Sequence, residues 1–188
     1  MKPMLLAFAC LAACTSFVPA TVAQLQAVSP IEVDPAAIEV AILMPAGLKP
    51  QPRSAVLSVA GRRTDTGEEA ALDVILVERA ITLVGVEVQP GEKVFAFRVA
   101  EEDVASLRAQ QAVFNVWKAE APGASEGSLG VALGACTVGA GPAPDAAGAV
   151  YIRMAEGAPM LPLVRRAPIA SLIGAEAMAS IGPCESAQ

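Results

Sequence analysis

Apolar residues recur at every second position over much of this chain, the pattern of half-buried strands rather than of helices. Ile38, Val40, Ile42 and Met44 share one side of a predicted strand that Pro45-Ala46-Gly47 ends. Ala55, Leu57 and Val59 alternate with Val56 and Ser58, and Leu72, Val74 and Leu76 alternate with Asp73, Ile75 and Val77. Between them Arg62-Arg63-Thr64-Asp65-Thr66-Gly67 reads as a turn. Val84, Val86 and Val88 form the clearest stripe, and the turn dipeptide Pro90-Gly91 separates them from Phe95, Phe97 and Val99. A hairpin about Gln89–Glu92 is therefore expected.

Further strands are predicted at Ala112–Ala119, with Phe114 and Val116 on one face and Asn115 and Trp117 on the other, and at Leu129–Cys136. Val150, Ile152 and Met154 suggest another, and Leu161–Val164 is extended. Pro122–Gly127 and Gly139–Gly148 read as loops. Three segments break the alternation. Asp34-Pro35-Ala36-Ala37 has an acceptor at the cap and proline at the first helical position, which predicts a single capped turn. Glu101–Gln111 opens with three acids and places Val104, Leu107 and Gln111 at helical spacing, which predicts a short helix. Ile169–Ala179 reads as a loose second helix. Short strands at regular intervals point to a mainly β fold, an antiparallel β-sandwich or barrel-like domain with one or two short helices. An α+β arrangement is the alternative.

The first residues have a different character. Lys2 is the only charge in the first 30, and the apolar run Met4–Ala13 is too short for a bilayer, which takes about 20 residues. It has the length of a signal-peptide core. The run ends Leu11-Ala12-Ala13-Cys14, which resembles the lipobox of bacterial lipoproteins. That resemblance implies cleavage before Cys14 and a diacylglyceryl group on its thiol. It implies a signal peptide at 1–13 and a lipid-anchored tether at 14–30, and the strand pattern makes 31–188 a single β-rich domain. Thr15 after the cysteine implies the periplasmic side of the outer membrane rather than retention at the inner membrane. An ordinary secretion signal cleaved near Ala23, giving a soluble periplasmic protein, stays open because Thr21-Val22-Ala23 also offers small residues.

Processing at Cys14 would leave Cys136 and Cys184. In an oxidising compartment such a pair is expected to be a disulfide. Closing a loop of about 49 residues stabilises by about 4 kcal/mol in the chain-entropy model. Two separated sulfurs in a chain with no histidine fall short of a zinc ligand set, so no metal or other cofactor is expected.

Composition narrows function mainly by exclusion. Hydrophobic residues reach 54%, much of it alanine, and aromatics are limited to five Phe, Trp117 and Tyr151, so the expected core is aliphatic. Net charge is −6, which disfavours a nucleic-acid partner. The absence of histidine removes the usual general base near neutral pH.

Candidate chemistry is correspondingly thin. Glu68-Glu69 and Glu101-Glu102-Asp103 read as solvated or helix-opening acids. Arg62-Arg63 and Arg165-Arg166 would form an anion site only if their turns met. Ser54, Ser58, Ser128 and Ser171 lie in no nucleophile elbow, and no Ser-x-x-Lys spacing links them to Lys49, Lys93 or Lys118. The glycines at 130, 134, 139 and 141 lack a phosphate-loop pattern. Phe95, Phe97, Phe114 and Trp117 read as core. No catalytic residue is expected. The expected role is structural or binding at the cell envelope, with the membrane reached through the lipid and a possible envelope protein as partner. A binding module for an apolar or lipid-like ligand is the alternative, and no ligand-binding residue can be named.

Overall fold

The computed structural model describes residues 33–80 and 85–184. The leader, Cys14, the tether and Val84 lie outside them. Strands make up 43% of the structure and helices 22%, which decides for the mainly β reading over α+β. The strands are β1 (Glu39–Pro45), β2 (Leu48–Pro50), β3 (Val56–Arg63), β4 (Glu69–Glu78), β5 (Glu92–Val99), β6 (Ser125–Ala132), β7 (Ala135–Thr137), β8 (Ala147–Arg153) and β9 (Leu161–Pro168). The helices are α1 (Glu101–Glu120), α2 (Ile169–Ile173) and α3 (Ala175–Ala179). Seven strands form one curled antiparallel sheet in the order β6-β3-β4-β5-β1-β8-β9, and β2 pairs with β7 in a small second sheet.

β1 is the axis of the core, because Val40–Pro45 are all buried and so both of its faces are covered. Its register with β5 and β8 sets Phe97 and Ile152 beside Val40, and Phe95 and Val150 beside Ile42. The same face continues across the sheet through Leu57, which lies opposite Val74 and Val131. Val104 and Leu107 of α1 join this cluster. Gly61 marks where the helix meets the sheet. A Cβ there would lie 2.4 Å from Cε1 of Phe114, so only glycine permits the approach. The predicted capped turn is present at Pro35–Ala37, with Ala36 N–H donating to Asp34 Oδ1 at 3.2 Å.

Three expectations are corrected. Ala112–Ala119 is not a strand; α1 runs unbroken through it to Glu120. Val104, Leu107, Phe114 and Trp117 are the buried residues, which is helical spacing, while Val113 and Val116 are exposed. The hairpin about Gln89–Glu92 does not form either, since Gly85–Gln89 is irregular. β5 pairs with β1 along its length, and its end at Phe97–Val99 takes β4 on the other side. The carbonyl of Glu87 instead accepts from Arg166 at 2.6 Å. Finally, the stretch Leu129–Cys136 is divided, and the loop before it gives way to β6 from Ser125. The chain leaves the large sheet at Gly134, whose carbonyl accepts from Gln51 N–H at 2.9 Å, and β7 joins the small one.

Candidate functional site

Cys136 and Cys184 are bonded, with Cα atoms 4.8 Å apart. Two backbone bonds flank the bridge: Thr137 N–H donates to Gly182 O and Cys184 N–H donates to Thr137 O, each at 2.9 Å. The C-terminal segment thus lies parallel to β7, with a bridge between Thr137 and Pro183. Ser54 holds the facing loop, its hydroxyl lying 2.7 Å from Gln51 O and 2.9 Å from Gly134 O. Arg53 beside it has φ 57°, the one non-glycine residue among those described in the left-handed region.

These pieces wall an open groove of about 1980 Å³. The disulfide, the loop after β2, the second half of β4 and the first turn of α1 all line it. Its apolar floor combines the buried Ala55, Val74, Leu76 and Phe97 with the exposed Ile75 and Val77. Its rim carries Lys49 and Arg53 as cations and Asp73, Glu78, Glu102 and Asp103 as acids. None of the ion pairs among the described residues involves any of these six.

Elsewhere several charges are paired. Arg63 grips Asp65 through two bonds of 3.0 and 2.8 Å and also bonds Glu120, tying the β3–β4 turn to the end of α1. The Arg63 hydrogen bonds hold the Asp65 carboxyl below its ordinary value and push the guanidinium further up. Arg108 bonds Asp34 at 2.9 Å and lowers that carboxyl too. Arg153 pairs with Glu39 across neighbouring strands. Arg166 pairs with Glu92. Burial works to raise the Glu92 carboxyl, but the bonds from Arg166 and from Gln89 N–H outweigh it and leave it below the ordinary value.

The sequence candidates separate accordingly. Arg62-Arg63 and Arg165-Arg166 do not converge, since β3 and β9 are separated by four strands of the sheet. Arg62, Arg63 and Arg166 each have an acid partner. Glu69 pairs with Arg62, and only Glu102 and Asp103 of the acid runs reach the groove. Ser54 is a strut of the loop, and Ser171 donates to Pro168 O at 2.7 Å. Phe114 and Trp117 meet at a tilt of 52° with ring centroids 5.4 Å apart, while Phe95 and Phe97 pack in the main core. Among the described residues no group of three or more metal-ligating side chains gathers, and no helix is long and apolar enough to cross a membrane. Lys49, Arg53, Asp73 and Glu78 carried no spacing signal, because the groove is assembled by long-range pairing of β2 with β7.

Fold and site together define a disulfide-closed, mainly β domain with an open amphiphilic groove. No known family matches the chain, and no curated protein or solved structure does so either.

Proposed function

We propose that this chain is an exported envelope protein, anchored through lipid on Cys14, whose β-domain has a binding rather than a catalytic role. The observation that carries the reading is the Cys136–Cys184 bridge, which suits maturation in an oxidising compartment. The N-terminal Leu11-Ala12-Ala13-Cys14 supplies the anchor in the same reading. A lipid holds the domain at the bilayer and raises the effective concentration of any partner there. The groove favours binding, because an apolar floor bordered by unpaired charges of both signs can take an amphiphilic ligand. Catalysis is disfavoured by the lack of histidine and of any Ser-x-x-Lys spacing in the sequence.

The test is the intact mass of the native protein extracted from membranes, with and without reductant. A chain beginning at Cys14 with acyl groups attached, gaining the mass of two hydrogens on reduction, is expected. A non-acylated chain starting near Gln24 would replace the anchor with simple secretion. A cytosolic chain retaining Met1, with free thiols, would refute export altogether.

A further inference from the structure

The two edges of the large sheet are unlike. β9 carries Pro162, Pro168, Arg165 and Arg166, devices that discourage another strand from adding. β6 is eight residues long, contains no proline and has Glu126 as its one charge. None of its residues is buried, and among the described residues it pairs with β3 on one side only.

The register says which backbone groups are open. Thr64 N–H donates to Ala124 O, and the β3–β6 pairing then runs without a shift from Arg63–Ser125 to Val56–Ala132. In an antiparallel ladder the bonding direction alternates along the strand. Glu126, Ser128, Gly130 and Ala132 therefore bond towards β3. Ser125, Gly127, Leu129 and Val131 turn their N–H and C=O groups to the free edge.

We propose that this edge takes β6 of a second copy, antiparallel about a two-fold axis perpendicular to the sheet at Leu129. Sequence and geometry are self-complementary in that register. Leu129 lies opposite its twin, and Gly127 lies opposite Val131 on either side, so every open N–H between them meets an open carbonyl. Leu129 and Val131, half-buried at the margin of the core, gain cover from the second copy. Glu126 faces Ala132 and stays far from its twin, so no like charges oppose each other. The interface is isologous and closes at two subunits. A single ladder is small beside the roughly 1,200–2,000 Å² of tight complexes, so the dimer is weak and reversible.

The experiment is amide hydrogen exchange by NMR on the chain as isolated, over a concentration series, alongside sedimentation equilibrium. Amides of Ser128 and Gly130 should be protected at every concentration, and those of Gly127, Leu129 and Val131 only as dimer accumulates. Gly127→Pro removes a donor that faces away from β3 and should weaken association roughly tenfold. Constant protection of the odd-numbered amides at all dilutions would overturn the proposal in favour of a segment of the same chain on that edge. Their free exchange at concentrations where dimer is present, or a monomer throughout, would overturn it too. The wild-type exchange pattern decides this even if the variant fails to fold.

Discussion

Removing the Cys136–Cys184 bridge tests how the domain is closed. The bond spans a sequence separation of 48 residues, enclosing β8, β9, α2 and α3. In the chain-entropy model a loop of that length restricts the unfolded chain by about 4 kcal/mol at 25 °C. The folded state changes less, because the two Thr137 backbone bonds that hold the C-terminal segment do not involve sulfur. Cys136 is buried, so a Cys136→Ala, Cys184→Ala double variant leaves only a sulfur-sized gap. Urea unfolding followed by far-UV circular dichroism should give a midpoint well below that of the oxidised chain. The slope should be slightly larger, since the unlinked unfolded chain exposes more surface. Reduced wild-type chain should behave like the variant. Equal midpoints for oxidised and reduced protein, with the bridge verified by mass, would refute the view that it acts on the unfolded state.

Two further changes test other parts of the structure. Ala112→Pro falls in the middle of α1, where a lost backbone bond and a ring clash cost about 3 kcal/mol or more, read as a fall in thermal midpoint; a negligible change would mean the helix ends before Ala112. Glu92→Gln should cost about 2 kcal/mol near neutral pH, because it breaks the charged bond to Arg166. The Glu92 carboxyl lies below its ordinary value in the folded chain, so its contribution is full above the unfolded value near about 4.3 and fades as pH falls through the lower folded value. Wild type and variant should therefore converge in acid, and a gap that is constant with pH would count against the ion pair.

The parts legible in the sequence are those where burial follows local alternation. β1 could be read because Val40, Ile42 and Met44 all face one core, and β3 and β4 because Leu57, Val59, Leu72 and Val74 do. The described part of the valine stripe, Val86 and Val88, misled because alternation identifies a segment that could pair, not whether a neighbour has an edge to offer. The end of α1 was misread for a related reason. Phe114, Val116 and Trp117 look strand-like in isolation, and only the phase they share with Val104 and Leu107 places Phe114 and Trp117 inward and Val116 outward. The disulfide was legible by arithmetic, since the expected processing at Cys14 would leave two cysteines. The groove was not, because Lys49, Asp73, Glu102 and Cys184 are brought together only by the topology.

The charges that hold the fold are not the ones that border the groove. Arg63, Arg108, Arg153 and Arg166 each meet a carboxylate, and three of these pairs are tucked against the sheet with the arginine at most 24% exposed. Such groups have already exchanged hydration for a fixed partner, and a ligand would have to displace it. Lys49, Arg53, Asp73, Glu78, Glu102 and Asp103 have made no such exchange among the described residues, although they border the same apolar floor. In the proposed binding role, a ligand there would lose water from its apolar part and find counter-charges that need not be taken from the fold. Of the arginine doublets that stand out in the sequence, Arg62, Arg63 and Arg166 are held by acid partners, and the scattered charges that do not stand out are the ones that border the groove.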